Sequence, residues 1–181
     1  MGYCKASALA GSTPARCTII TIIKANDMEK AYYIGIDPGA SGGIAVLSEN
    51  GEVADVRNMP DTPADILNYL RLWQAFPCVC VLEDVGQGMP GQSSSATAKF
   101  ARHNGHLEMG LLALGIKTIK CRPQKWEKIY SLGKSSSFEK AEWKRKLKER
   151  AQQLFPQLGK KVTLKTCDAL LIAEYCRKTN K

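Results

Sequence analysis

No apolar run in these 181 residues approaches the roughly 18 to 20 needed to cross a bilayer as a helix, so a transmembrane segment drops out of the reading. No membrane partner is expected, an anionic membrane surface being the lesser alternative to nucleic acid for the basic charge. The seven cysteines, at positions 4, 17, 78, 80, 121, 167 and 176, show neither a disulfide framework nor paired Cys-x-x-Cys zinc spacing. Cys78 and Cys80 alternate within an apolar stretch and read as small buried hydrophobes. A reducing compartment fits that usage best. Histidine is scarce: His103 and His106 are the only two. Their spacing near Glu108 permits a helical metal pair, but one packed and one exposed imidazole is the commoner outcome. No internal repeat or linker divides the body, and the length suits one domain with no room for a second lobe.

What the chain does have is positive charge. Lys and Arg exceed Asp and Glu by 26 to 17, the formal net charge is +9 and the pI about 9.2. A polyanionic partner such as nucleic acid follows from that balance. The excess sits in the second half, where Lys117, Lys120, Arg122, Lys125, Lys128, Lys134, Lys140, Lys144, Arg145, Lys146, Lys148 and Arg150 face only Glu127, Glu139, Glu142 and Glu149. A solvated helix face is the ordinary meaning of such a run. The whole-chain charge favours nucleic-acid contact instead.

Residues 1–27 are rich in Ser, Thr and Ala, with Asp27 their only acid. We read them as an N-terminal extension, disordered or outside the native start, with Met28 as the alternative start, and residues 28–181 as a single domain. Three strands open that domain, Tyr32–Asp37, Gly43–Ser48 and Val53–Asn58. They are joined by a Pro/Gly turn and by Glu49-Asn50-Gly51, whose Asn-Gly is a strong hairpin signal. Thr62-Pro63 caps a helix whose apolar spacing, Ile66, Leu67, Leu70 and Trp73, runs on to Phe76-Pro77. A fourth strand, Cys78–Glu83, is apolar throughout and reads as central. Residues 84–95 are too rich in Gly and Ser to be regular. A long helix is expected from about Ala96 to Leu114, a strand over Lys117–Cys121, a short helix over 123–132 and a basic helix ending at Phe155-Pro156. A last helix, with Thr166 as its cap, runs from Asp168 to about Lys178. This order is a mixed α/β plan with a five-stranded sheet, antiparallel in its first three strands and covered by helices, as in the ribonuclease H-like architecture.

Asp37 ends the first strand, where Tyr32-Tyr33-Ile34-Gly35-Ile36 breaks into Pro38-Gly39-Ala40-Ser41-Gly42-Gly43. Taken alone it is either a turn-former or a ligand. Glu83 ends the fourth strand, and Asp168 falls on the inward side of the last helix's first turn. In this plan the three acids converge. Convergent carboxylates repel and raise one another's pKa, so such a trio makes sense with divalent cations between its members. Magnesium fits, because it takes hard oxygen ligands and keeps substrate phosphate in its shell. Two ions about 4 Å apart would serve phosphodiester hydrolysis, with manganese as a substitute.

At these residues the chain resembles the RuvC-type Holliday junction resolvases, especially their phage and organellar relatives. The matching stretches are YYIGIDPGASGGIAVL, VCVLEDVGQGMPGQSSSATAKFARHNGHLEMGLLALGI, RPQKWEKIYSL, RAQQLFPQL and CDALLIAEYCRK, which span most of residues 32–178. The resemblance implies a homodimeric, magnesium-dependent endonuclease that nicks two strands of a four-way DNA junction symmetrically. Such an enzyme would work in the cytoplasm of a bacterial or phage-infected cell, or in an organelle. By motif position, Asp37, Glu83 and Asp168 correspond to three of the family's metal-binding acids.

The family's fourth acid, an Asp or His shortly before the last Asp, has no counterpart in Val162-Thr163-Leu164-Lys165-Thr166-Cys167. Lys165 stands there instead, as a candidate contact for the scissile phosphate. Asp84 or Glu174 as the missing acid, or a site of three acids, are the alternatives. The loop carrying Gln87, Met89 and Ser93 follows the fourth strand and is expected to face DNA. Met89 is a candidate apolar wedge at unstacked bases, although a flexible loop with an incidental Met is the commoner outcome. Lys125, Lys128, Lys134, Lys140 and Lys144 are candidate backbone contacts. Trp126 reads as core or interface. Other readings are a junction-binding protein without catalysis, a ribonuclease H acting on RNA–DNA hybrids, and an ATPase of the actin and hexokinase type, for which the chain is too short.

Overall fold

Side chains along a strand alternate between the two faces of a sheet, and here the alternation sorts the core into two layers. The computed structural model describes residues 30–86 and 93–180. The N-terminal extension, Gln87 and Met89 lie outside the described residues. The strands are β1 (Tyr32–Asp37), β2 (Gly43–Ser48), β3 (Val53–Asn58), β4 (Cys78–Glu83) and β5 (Lys117–Cys121), in the order β3-β2-β1-β4-β5. β1, β2 and β3 form the expected antiparallel meander, while β1–β4 and β4–β5 are parallel. This is the ribonuclease H-like arrangement that the element order predicts.

One face of the sheet presents Tyr32, Ile34, Ile36, Ile44, Val46, Cys80 and Leu82. Helix α1 (Pro63–Arg71) and helix α2 (Ser94–Ala113) cover it with Ile66, Tyr69, Leu70, Leu107 and Leu111. The other face presents Tyr33, Ala45, Leu47 and Val81 to a short helix α3 (Pro123–Glu127), to α4 (Lys140–Leu154) and to α5 (Cys167–Thr179). The basic helix α4 buries Trp143, Leu147 and Ala151, as its spacing predicts. Burying these side chains is worth roughly 1.5 to 3 kcal/mol for each large apolar one.

Gly35 decides how deeply α5 settles on the sheet. A Cβ there would lie 2.2 Å from the Ala173 backbone nitrogen and 2.3 Å from the Ala169 carbonyl oxygen. Only glycine admits that approach. Gly42 and Gly43 are similarly hemmed in, with the Asp37 carbonyl oxygen 2.1 Å from a Cβ at the first and the Lys165 carbonyl oxygen 2.8 Å from a Cβ at the second. The turn after β1 and the start of α5 therefore pack backbone against backbone.

Three local expectations change. The Thr62 hydroxyl does accept from the Asp65 N–H at 3.1 Å, but α1 stops at Arg71. Trp73 and Phe76 instead follow it in tight turns and stack around Tyr32, at ring-centroid distances of 5.3 Å each. The helix after β5 is α3 and then a 3-10 turn over Lys128–Tyr130, closed by Ser131 in the left-handed region at φ 53°. Thr166 makes no side-chain cap to α5. Its hydroxyl donates to the Lys161 carbonyl at 2.9 Å and accepts from the Thr163 N–H at 2.9 Å, bracing the turn into the helix.

Candidate active site

Parity places Asp37 on the side of the sheet that carries Tyr33 and Gly35, and it places Glu83 on the side that carries Val81. That is the α5 side in both cases. The parallel register pairs Ile36 with Leu82, so the two acids leave neighbouring strands at the same level. The close approach permitted by Gly35 then brings in Asp168, one residue before Ala169 in the first turn of α5. The sheet and α5 thus bring together the three acids singled out from the sequence.

They share one pocket of about 430 Å³, lined also by Ser41, Phe100, Lys140, Lys144, Leu164 and Lys165. Glu83 and Asp168 are buried, at 6% and 7% exposure. Asp37 and Glu83 face each other from neighbouring strands within electrostatic reach. Burial first, and then the Asp168 charge, push the Asp37 carboxyl up to about 7, against the pull of Lys144. Burial and the Asp37 charge push Glu83 up to about 8. Both acids sit where a proton or a cation is wanted.

Lys144 partly meets that demand. Its ammonium donates to the Asp168 carboxylate and lies 3.8 Å from Asp37 Oδ2. Burial pulls the lysine pKa down, but Asp168 and Asp37 more than offset this and hold it above the ordinary value. Lys144 therefore lies among the acids rather than on the outer basic face where its spacing put it. The Cys167 thiol adds a contact to Asp168 Oδ1 at 3.2 Å.

The other expected residues scatter. Lys165 is exposed and lines the pocket, as does Lys140. Lys125, Lys128 and Lys134 are exposed and lie away from it. Ser93 caps α2, its hydroxyl accepting from the Ala96 N–H at 3.2 Å. Glu174 does not join the trio, because Arg177 grips both its carboxylate oxygens at 2.8 Å. Asp84 does not line the pocket. His103 is half-buried and His106 exposed, while Glu108 pairs with Asn104 and Lys120. They form no metal cluster.

Two contacts had no signal in the sequence. The Trp126 indole N–H donates to Glu83 Oε1 at 2.8 Å, and the Trp143 indole N–H donates to Glu127 Oε1 at 3.0 Å. Glu127 is raised by burial and, after the Trp143 bond that opposes this, by the Asp168 charge. Only the pairing of remote elements could have shown either contact.

The donor set suits a hard divalent cation: three carboxylates line one pocket, and Asp37 and Glu83 among them are raised by burial and by neighbouring carboxylate charge and call for positive charge. Among the described residues, no three His, Cys, Asp or Glu side chains are gathered closely enough to hold a metal ion as they stand. Lys144 supplies the positive charge in this arrangement.

No family model and no curated protein matches the chain. Solved structures do. The structure of Thermus thermophilus RuvC in complex with a Holliday junction substrate is similar at a TM-score of 0.54 and 16% identity, over 80% of this chain and 91% of that one. A second Thermus thermophilus RuvC structure is similar at a TM-score of 0.51 and 14% identity, over 80% and 92%. These likenesses establish the fold.

Proposed function

We propose that this chain is a metal-dependent, structure-selective endonuclease that hydrolyses phosphodiesters in branched double-stranded DNA and resolves four-way junctions by paired nicks. The observation that carries this reading is the convergence of Asp37, Glu83 and Asp168, from β1, β4 and α5, on a pocket whose remaining charged lining is lysine. The likeness to a structure of RuvC with a Holliday junction substrate supports it. Residues 28–181 are then the nuclease domain.

Asp37, Glu83 and Asp168 would hold magnesium, or manganese in its place, and two ions suit the three acids. When bound, such ions supply Lewis-acid stabilisation of phosphoryl oxygens and lower the pKa of water. The chain's own residues do the rest. Lys144 holds Asp168 and Asp37 toward one centre and offsets charge that develops on phosphate. Lys165 and Lys140, at the wall of the pocket, attract the DNA backbone as point charges. Lys125, Lys128 and Lys134 extend that attraction beyond the pocket. Ser93, at the start of α2, is a further candidate DNA contact, as are Gln87 and Met89, which lie outside the described residues.

Paired nicks need two sites, so we place the enzyme in a homodimer. On α2, Met109 and Leu112 are 63% and 74% exposed, an apolar surface of the kind a second copy would cover. Sedimentation of wild type against a Met109→Lys, Leu112→Lys variant tests this. An unchanged dimer in the variant removes that face from the interface.

The decisive assay offers a labelled four-way junction, a linear duplex and an RNA–DNA hybrid, with and without magnesium. Cutting of the junction alone, lost in Asp37→Asn, is the expected result. Equal cutting of all three sinks the resolvase reading, and preference for the hybrid replaces it with a ribonuclease H. The Lys144 ion pairs favour one second reading, a junction-binding protein whose acids are satisfied by lysine. Junction binding with no cutting at any magnesium concentration would select it.

A further inference from the structure

Helices α3 and α4 reach the acids through two consecutive pairs of residues. Trp126 and Glu127 end α3, and Trp143 and Lys144 lie in the first turns of α4. The Trp126 indole donates to Glu83 at 2.8 Å, and Trp143 donates to Glu127 at 3.0 Å. Lys144, next in chain, donates to Asp168. Each neighbouring pair thus has one member on an acid of the pocket and one member tying α3 to α4.

We propose that Trp126 is a positioning residue that fixes the Glu83 carboxylate for metal binding, and that the Glu127–Trp143 bond sets α3 at the distance this requires. The inference rests on the endonuclease reading above and adds to it a supporting shell that the three acids alone do not reveal. A carboxylate with two free oxygens can rotate about its last torsion. A donor on one oxygen leaves the other aimed. Trp126 is 1% exposed and packs edge-on against Tyr130, whose hydroxyl in turn donates to the Leu171 carbonyl. The indole is therefore locked from behind and its N–H has a single direction. A phenylalanine would keep the packing and lose the donor. α3 is only five residues long and cannot set its own orientation, so the bond from Trp143 to its last residue has a purpose.

The test uses the full chain labelled with nitrogen-15 and the side-chain N–H resonances of its three tryptophans, assigned with W126F. Trp73, on the opposite face of the sheet, is the internal control. We expect the Trp126 resonance to move in Glu83→Gln and again on titration with magnesium alone, while that of Trp73 stays. Calorimetry of W126F with magnesium should show affinity weakened by roughly 10- to 100-fold, as for other partners that orient a metal ligand, with far-ultraviolet circular dichroism unchanged. If W126F does not fold, W143F replaces it and should shift the Trp126 resonance and weaken magnesium binding severalfold. Wild-type affinity in a folded W126F, or a Trp126 resonance indifferent to Glu83→Gln, overturns the proposal. Absence of magnesium binding by the wild type itself overturns the endonuclease reading. It removes the metal-facing purpose of Trp126 too, while the Glu83→Gln arm still reports whether the indole holds that acid.

Discussion

Gly35 on β1 and Ala173 on α5 touch backbone to backbone: a side chain at Gly35 would begin 2.2 Å from the Ala173 nitrogen. The contact sits two residues from Asp37 on one element and five from Asp168 on the other, so it sets the distance between two acids of the pocket. Gly35→Ala should therefore cost at least about 3 kcal/mol in urea unfolding, the top of the range for overpacking, because the clash is with backbone that cannot rotate away. Any folded fraction should bind magnesium poorly. A variant with wild-type stability would show that α5 rides on the sheet more loosely than this contact implies.

The same contact explains which parts of the site could be read from sequence. Strand ends announce themselves locally: Asp37 stands at a break from β-branched residues into a Pro/Gly cluster, and Glu83 closes an unbroken apolar run. Parity then gives their face. Asp168 follows from helical spacing. What escapes local reading is anything fixed by a partner remote in sequence. Trp126 looks like any apolar anchor until Glu83, 43 residues away, is seen against its N–H. Lys144 looks like a member of a basic stripe until α4 is docked beside α5. Gly35 reads as a neutral strand residue until a helix lands on it. Trp73 and Phe76 mimic a longer α1 because an aromatic cluster and a helix face share the same spacing.

Asp37→Asn should leave the fold intact and abolish junction cleavage. The amide keeps the size and one acceptor oxygen but removes the charge that a dication needs. A rate loss of more than about 100-fold is expected, beyond that for removing a partner which merely orients a ligand. The variant should also be more stable than wild type in a chelator at pH 8, because a buried, repelled carboxylate is gone. Gel assays and thermal melts in EDTA check the two halves separately.

Stability should depend on pH with an unusual sign. Asp37 and Glu83 are pushed up to about 7 and about 8 when folded, chiefly by burial, while unfolded carboxyls titrate near about 4. Between those limits the folded state binds more protons, so unfolding free energy falls as pH rises. The contribution is fully present below about pH 4 and lost as pH climbs through 7 to 8. Melts in EDTA should therefore decline across that window. Saturating magnesium should flatten the decline, because a dication stabilises the ionised forms. A metal-free profile that rises from pH 5 to 8 would contradict the raised values.

Lys144→Met should destabilise the metal-free protein by about 1 to 2 kcal/mol, between the ranges for surface and buried ion pairs, since the lysine is one-third exposed. Removing it leaves Asp168 and Asp37 without their cation. Magnesium should then raise the melting temperature of the variant more than that of the wild type. Equal magnesium-induced shifts would mean that lysine and metal do not answer the same charge.

Lys165 lines the pocket, and under the endonuclease reading proposed above its task there is to contact phosphate. An ammonium does not ligate a cation, but it pairs with phosphate as a point charge. If that is its role, Lys165→Ala should lower the cleavage rate while leaving the magnesium concentration for half-maximal activity unchanged. The logarithmic salt dependence of junction binding should lose about one unit of slope, as expected for one phosphate contact removed. Lys140→Ala, at the same wall, should reduce the salt slope with a smaller effect on rate, because attraction without contact to the reacting group serves binding alone. Lys117→Ala, exposed at the start of β5 and outside the pocket lining, is the control for general charge loss. Were Lys165→Ala to cut at the wild-type rate, the lysine would be a surface charge and the three acids would complete the site without it.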